Sequence, residues 1–152
     1  MVFDSDAQAL ACCRWWQRVL RLQDWDVSVR IVSSAAMKTL DRVGQITEFA
    51  AKKLACIDLL NAADYASGAD FCSPEQDHEK TLVHELLHLH TLDWPGKDDT
   101  GGATNAEEVC VDTLARALVE MKRKNDGLQR ENQADEAESD SAGGRENGRS
   151  ER

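Results

Sequence analysis

The spacing of apolar residues predicts a helix near each end of the chain and a strand after the first. Residues 5–22 carry apolar side chains at helical spacing, and Ser5 with Gln8 forms a capping box at their start. Residues 24–32 alternate apolar and polar side chains, which is the pattern of a half-buried strand. Residues 105–124 have a second apolar helical face and end in basic residues, which suit a helix C-terminus.

The middle of the chain is harder to interpret. Residues 33–42 fit either a short helix or a loop. Residues 43–51 predict a second strand, although 48–54 could equally be helical. The mostly apolar run 54–60 predicts a third strand, and the following segment 61–72, rich in Ala, Asp, Gly and Ser, predicts a loop.

A further helix is predicted from Ser73 onwards. Ser73-Pro74-Glu75-Gln76 has the pattern of a capping box with proline at the first helical position. Leucines then recur at a spacing that indicates a helix buried on more than one side. Trp94-Pro95-Gly96 should end this helix, since a residue before proline is disfavoured in the helical conformation.

This helix contains the five residues that bear on function, His84-Glu85-Leu86-Leu87-His88. Two histidines four positions apart project from one helix face, so both ring nitrogens can reach one metal ion at about 2.0–2.1 Å. Glu85 lies beside them, close enough to take a proton from a water that the metal activates. The competing interpretation is a core helix with incidental histidines, but that leaves a charged Glu85 among leucines without a purpose.

A catalytic zinc site needs a third protein ligand. The metzincin arrangement would place it at position 94 with glycine at position 91, and the chain has Trp94 and Thr91 there. A glutamate on a following helix is the other common solution. Thr104 and Glu107 form a capping box, which gives Glu107 a structural task and leaves Glu108 free to point elsewhere.

Asp112 lies one turn beyond Glu108 on the same helix face. With this residue the chain resembles the thermolysin-type gluzincin metallopeptidases, whose pattern is HExxH…ExxxD. The matching set is His84, Glu85, His88, Glu108 and Asp112. The resemblance implies one zinc ion per chain, held by two histidines and Glu108. It also implies that Asp112 accepts a hydrogen bond from the outer nitrogen of a ligating histidine.

The order of elements and the resemblance together predict an α+β fold of the minimal zincin type. Such a fold has a small twisted β-sheet, an N-terminal helix, an active-site helix and a C-terminal helix that supplies the last zinc ligand. The resemblance further implies an open strand edge near the cleft, to which a peptide substrate adds as a strand. We assign that edge to residues 54–60, with a fully covered strand as the alternative. The small size and layout also resemble phage- or prophage-encoded metallopeptidases.

These residues predict a zinc metallopeptidase that hydrolyses peptide bonds with a zinc-activated water and Glu85 as general base. One alternative is a catalytically idle binding or regulatory protein on a zincin scaffold, and another is a zinc hydrolase of a non-peptide amide. Larger gluzincins add a histidine or tyrosine that stabilises the oxyanion. Tyr65, His78 and His90 are the candidates here, and a structural or surface role is expected for each.

Charge and composition limit the partners and the location. The formal net charge is −10, so neither nucleic acid nor a membrane is expected as a partner. The five cysteines are odd in number and include no CxxC pair, which is typical of free thiols in a reducing cytosol. Lacking a signal peptide or membrane span, the protein is predicted to be cytoplasmic, and a phage-encoded protein would act in the host cytoplasm.

Apolar residues almost disappear after residue 124. Residues 125–152 contain eight acidic and four basic residues, with mostly small or polar residues between them. Too little apolar surface is available there to offset the entropy of ordering the chain. The sequence therefore predicts a metallopeptidase domain over residues 1–124 and a disordered acidic, polar tail over 125–152.

Overall fold

The computed structural model describes residues 1–38, 42–68, 74–92 and 105–143, and within them the fold is mixed α+β. This part of the chain forms four helices and a small mixed sheet of three strands. The helices are α1 (Asp6–Val19), α2 (Ala62–Gly68), α3 (His78–His88) and α4 (Asn105–Gly143). The strands are β1 (Asp26–Val32), β2 (Gly44–Phe49) and β3 (Leu54–Leu60), with 3-10 turns at Ser34–Ala36 and Ala50–Lys52.

Strand β3 lies in the centre of the sheet, in the order β1-β3-β2. It pairs in parallel with β1, from Asp26 opposite Leu54, and antiparallel with β2, from Gly44 opposite Leu59. The prediction that residues 54–60 offer an open edge is therefore wrong, because both sides of β3 are already paired. Among the described strands, β1 and β2 form the two edges, and β2 is the edge strand that contacts α3.

Helices α1 and α3 cover one face of the sheet, and the core lies between these helices and the sheet. Trp16 of α1, Leu82 and Leu86 of α3, and Ile57 and Leu59 of β3 are almost completely buried. Side chains alternate between the two faces of a strand, so Ile57 and Leu59 point to the same side. The apolar sequence patterns predicted these elements because each element buries one face against this core, and that face needs apolar residues at regular spacing.

The opposite face of the sheet carries a polar group that links all three strands. Arg30 of β1 donates two hydrogen bonds to Asp58 of β3, with Nε 2.8 Å from Oδ1 and Nη2 3.0 Å from Oδ2. Gln45 of β2 donates to the same carboxylate over 2.9 Å. The Asp58 carboxylate is thus buried with its charge balanced, and it fixes the register of three neighbouring strands.

The N-terminal helix and the second strand agree with the predictions, whereas the start of α3 does not. Ser5 caps α1 by accepting a hydrogen bond from the Gln8 amide. Helix α3 begins at His78, with Asp77 as its N-cap. Residues 74–77 stay outside the helix, because the Gln76 side chain donates to the Leu60 carbonyl over 2.7 Å. The predicted cap Ser73 lies outside the described residues.

Other differences concern α2, α4 and the end of α3. Residues 62–68 form a helix where the sequence predicted a loop. Helix α3 ends at His88, so the predicted terminator at residues 94–96 lies beyond it and outside the described residues. Helix α4 runs to Gly143, well past residue 124, where its end was predicted.

The chain divides into two compact units, Met1–Arg116 and Ala117–Arg152. The first contains the whole sheet, helices α1 to α3 and the first turns of α4. The second consists, in its described part, of the continuation of α4. No helix among the described residues combines the length and the apolar character needed to cross a bilayer.

Candidate metal centre

Two histidines on α3 face each other across one helical turn. The Nε2 atoms of His84 and His88 are 3.2 Å apart, and their ring centroids are separated by 4.9 Å. Both side chains are largely buried, at 19% and 12% exposure. Helical spacing alone brings the two rings to the same face, as the sequence predicted.

Glu108, from the first turn of α4, completes a three-residue cluster. Its Oε2 atom is 3.2 Å from His84 Nε2, and its Oε1 atom is 3.7 Å from His88 Nε2. One ligand atom from each of the three residues lies within 4.8 Å of the others. The Glu108 side chain is 47% exposed, so the cluster opens to solvent on that side. All three residues belong to the unit Met1–Arg116.

The spacing of these atoms fits a four-coordinate metal ion. Tetrahedral zinc with bonds of about 2.0–2.1 Å holds its ligand atoms about 3.3–3.4 Å from one another. The two histidine Nε2 atoms are 3.2 Å apart and His84 Nε2 is 3.2 Å from Glu108 Oε2, both close to that value, while His88 Nε2 lies 3.7 Å from the other carboxylate oxygen, Oε1. Two imidazoles and one carboxylate leave a fourth position free, which is the donor set of catalytic rather than structural zinc sites.

The protonation state of His84 also suits a metal ligand. Burial of the ring, together with the neighbouring His88, lowers the pKa of His84, and this outweighs the opposing effect of Glu108. A lowered pKa favours the neutral imidazole, which is the form that binds a metal.

Glu85 lies on the sheet side of α3, with only 7% of its surface exposed. Burial raises the pKa of Glu85 to about 8, and the negative charge of Glu108 adds to this effect. Arg42 and Lys38 act in the opposite direction. The carboxyl group therefore holds a proton at a pH where an exposed glutamate has lost it.

Gly44, the first residue of β2, makes room for this glutamate. A Cβ atom placed on Gly44 would lie 2.9 Å from Glu85 Oε1 and 2.3 Å from Thr81 Cγ2. The backbone of β2 thus passes directly over the carboxyl group, and no larger residue fits without displacing it. The sequence offered no sign of this contact, since it predicted only that residue 44 belongs to a strand over residues 43–51.

A second carboxylate contacts the outer side of the cluster. Glu107 is completely buried, and its Oε1 atom lies 3.2 Å from His88 Nδ1. The Thr91 hydroxyl donates to the same oxygen. The sequence had assigned Glu107 to a capping box with Thr104, and Thr104 lies outside the described residues.

Asp112 has different partners from those expected. Lys80 Nζ donates to Asp112 Oδ1 over 3.2 Å, and Arg116 Nη2 donates to Oδ2 over 2.7 Å. Partial burial would raise the pKa of Asp112, but these two cations outweigh it and hold the pKa below its usual value. Among the contacts of the described residues, the histidine-to-carboxylate hydrogen bond goes to Glu107 instead. Lys80 and Arg116 are thus the hydrogen-bond partners of the Asp112 carboxylate.

The three candidates for oxyanion stabilisation are all bonded elsewhere. The Tyr65 hydroxyl donates to the Pro74 carbonyl, and His90 Nε2 lies 2.9 Å from the Leu20 carbonyl. His78 is buried, accepts from the Phe3 amide at Nδ1 and contacts the Leu60 carbonyl through Nε2. These contacts agree with the structural roles expected for them.

The arrangement combines two imidazoles and a buried carboxyl group of α3 with an exposed carboxylate of α4. Comparison with protein-family models, with curated proteins and with solved structures found no match in any of the three.

Proposed function

We propose that this chain is a zinc-dependent peptidase with a minimal zincin-like fold. The observation that carries the proposal is the convergence of His84, His88 and Glu108 around a space of the right size for one metal ion. Glu85 follows His84 directly, is buried, and is subject to the negative charge of Glu108. A core helix with incidental histidines would not require a third metal-binding group from a separate helix at the same point.

His84, His88 and Glu108 are the residues that would hold the zinc ion. When bound, the ion supplies a Lewis acid that makes water more acidic and polarises a substrate carbonyl. The exposure of Glu108 leaves a path by which water and substrate reach the cluster.

Glu85 is the proton carrier in this proposal. Its carboxylate takes one proton from the attacking water while the water oxygen bonds to the carbonyl carbon. The same proton then passes to the amide nitrogen as the carbon–nitrogen bond breaks, which regenerates the carboxylate. Burial and the raised pKa of about 8 make Glu85 a stronger base than an exposed glutamate. Glu85 accepts a proton only as the carboxylate, and the positive charge of a zinc ion held by the three ligands would favour that form.

The substrate edge in this proposal is β2 rather than β3. The Leu60 amide donates to the Val43 carbonyl, so residues 43, 45, 47 and 49 face β3 in the antiparallel ladder. The backbone groups of Gly44, Ile46 and Glu48 therefore point away from the sheet. Gly44 contacts Glu85, so a peptide added to this edge would pass close to the base.

Metal analysis tests the ligand set. Purified protein should contain close to one zinc per chain, and His84→Ala should lose it. His90→Ala is the matched control, because His90 is exposed on the turn after α3 and should not affect the metal. Equal zinc content in the two variants would refute the assignment.

A peptide-library cleavage assay tests the reaction class. Wild-type protein should cleave peptides, and Glu85→Gln should retain zinc and fold while losing hydrolysis, because Glu85 is a base and not a ligand. Peptide binding without any cleavage would favour the idle binding protein. Cleavage confined to simple non-peptide amides would favour the alternative hydrolase.

Proline substitution at the edge tests the path of the substrate. Glu48→Pro removes an amide that points away from β3, whereas Glu48→Ala removes the same side chain and keeps that amide. We expect KM for peptides to rise roughly tenfold in the proline variant relative to the alanine variant, as one or two lost backbone hydrogen bonds would cause. Equal KM values would place the substrate elsewhere.

A further inference from the structure

Glu107 and Glu108 are adjacent in the first turn of α4 but face different sides of the metal centre. Successive helical residues are rotated by about 100°, so two neighbouring glutamates can reach a histidine pair from two directions. Glu108 approaches the Nε2 atoms, and Glu107 approaches His88 at Nδ1 over 3.2 Å. Glu108 is 47% exposed, whereas Glu107 is completely buried. The two carboxylates therefore have different surroundings and different tasks.

The contact at Nδ1 determines which nitrogen of His88 can bind a metal. An ionised carboxylate only accepts hydrogen bonds, so with Glu107 ionised His88 would donate its Nδ1 proton to it. In the neutral ring, Nε2 then has no proton and presents its lone pair. That lone pair points into the cluster, 3.2 Å from His84 Nε2 and 3.7 Å from Glu108 Oε1.

Thr91 supports Glu107 from the turn that follows His88. Its backbone amide donates to the His88 carbonyl over 3.1 Å, and its hydroxyl donates to Glu107 Oε1. The Glu107 oxygen thus accepts from two donors that lie three residues apart on the same turn. These contacts form a closed ring through His88, Glu107 and Thr91, which fixes the ring plane of His88 relative to α4.

We propose that Glu107, supported by Thr91, is the positioning residue of the metal centre and acts through His88. This inference rests on the proposed metal site, and it replaces the ExxxD carboxylate of the gluzincin pattern with the residue immediately before the ligand Glu108. Asp112, occupied by Lys80 and Arg116, has no part in it. The buried carboxylate fixes the tautomer of His88 and increases the basicity of its Nε2 atom.

Zinc affinity distinguishes the two carboxylates. Glu107→Gln preserves the shape of the side chain and removes its charge, and we expect it to weaken zinc binding roughly 10–100-fold. Asp112→Asn is the matched control and should bind zinc as tightly as wild type. A larger loss in Asp112→Asn than in Glu107→Gln would overturn the proposal.

Thr91 provides a second pair of variants that leaves both carboxylates in place. Thr91→Val keeps the shape of the side chain but loses the hydroxyl, so it should weaken zinc binding, and Thr91→Ser should restore it. Cobalt substitution adds a signal that a loss of stability alone would not change, because visible absorption reports ligand geometry. We expect an altered cobalt spectrum in Thr91→Val and a wild-type spectrum in Thr91→Ser. Identical spectra in all three proteins would contradict the role of Thr91.

The tautomer of His88 is measurable without any metal. Nitrogen-15 NMR of the metal-free protein, at a pH at which the rings are neutral, should show the proton of His88 on Nδ1. In Glu107→Gln this preference should be weakened. A proton on Nε2 in the wild-type protein would overturn the proposal. If the wild-type protein binds no zinc, the proposed function fails, whereas this measurement still decides the role of Glu107.

Discussion

Gly44 has no side chain, and this leaves the space that the Glu85 carboxyl group occupies. Gly44→Ala should destabilise the fold by about 1–3 kcal/mol, as overpacking of a core does. The new methyl group would meet Thr81 Cγ2 at 2.3 Å. Thr81 has little freedom to move, since its hydroxyl donates to the Asp77 carbonyl over 3.0 Å. Urea unfolding measures the effect.

Gly68→Ala is the matched control for this substitution. Gly68 is also part of a regular element, the last residue of α2, but a Cβ placed there meets nothing within 4 Å. Its replacement should leave stability unchanged or slightly raise it, because alanine has less freedom to lose on folding. Similar losses in the two variants would show that the tight contact at Gly44 has no energetic consequence.

Cys13 should be the least reactive of the cysteines that the structure describes. Burial raises the pKa of its thiol from 9.0 to about 12. At a given pH near neutrality, a shift of three units leaves about a thousandfold less thiolate, which is the reactive form. Alkylation followed by mass spectrometry should label Cys110, which is partly exposed, long before Cys13. Labelling of both at one rate in the native protein would contradict this expectation, and in urea the difference should vanish.

At the residue scale, the sequence predicted which side chains form the candidate metal cluster but not the groups around them. His84 and His88 come together because helical spacing is a local property. Glu108 meets them as predicted from its distance along the chain and its place at a helix start. The contact between Glu107 and His88 was not predicted, because a capping pattern explained Glu107 equally well. Only the tertiary packing of α4 against the turn at Thr91 shows where its carboxylate lies.

At the element scale, local patterns predicted strands well and their order poorly. The alternation in residues 24–32 and the apolar run in 54–60 correspond to β1 and β3. The strongly apolar character of β3 was consistent with either a covered or an edge strand. Strand order depends on contacts between distant segments, so alternation along one strand does not reveal that β3 is central. The start of α3 moved for a similar reason, since Gln76 bonds to Leu60 rather than to a helix terminus.

The polar group of Arg30 with the buried Gln45 and Asp58, on the sheet face opposite α1 and α3, gives a prediction at this scale. Asp58→Ala should destabilise the protein by about 1–3 kcal/mol, because it leaves charged and polar donors of Arg30 and Gln45 without their acceptor. Asp26→Ala is the matched control, since its ion pair with Arg14 spans 3.5 Å and its side chain is 76% exposed. That change should cost less than about 0.5 kcal/mol. Equal losses in the free energy of unfolding, measured with urea, would show that this polar group does not stabilise the pairing of the strands.

At the scale of the whole molecule, the domain end predicted from composition differs from the observed end of helix α4. The loss of apolar residues after residue 124 predicted the end of the domain, whereas helical structure continues to Gly143. Residues 125–143 contain many good helix formers but little apolar surface to bury, so a helix can persist there without a core. Lys122 and Asp126 add an ion pair at helical spacing, with 2.7 Å between Nζ and Oδ2.

Ending the chain at Asn125 tests whether the rest contributes to the folded domain. We expect the melting temperature and the zinc content to remain nearly unchanged, because the removed segment is predicted to bury almost no apolar surface. Leu128, one of its few large apolar residues, is 60% exposed. A fall of many degrees in the melting temperature would show that residues 126–152 pack on the domain.

Zinc binding should stabilise the whole of Met1–Arg116, because the proposed ligands come from two different helices. Nineteen residues lie between His88 of α3 and Glu108 of α4. A ligand present at a hundred times its Kd adds about 2.7 kcal/mol to the free energy of unfolding, provided that the unfolded chain does not bind it. For a chain of this size that corresponds to a rise in Tm of roughly 10 °C. Thermal unfolding with zinc and with a chelator measures the difference. Glu85→Gln should keep this rise, since Glu85 is not a ligand, whereas Glu108→Ala should lose most of it. A rise of equal size in Glu108→Ala would mean that zinc stabilises the protein through some other site. The proposal that one zinc ion connects α3 and α4 would then be wrong.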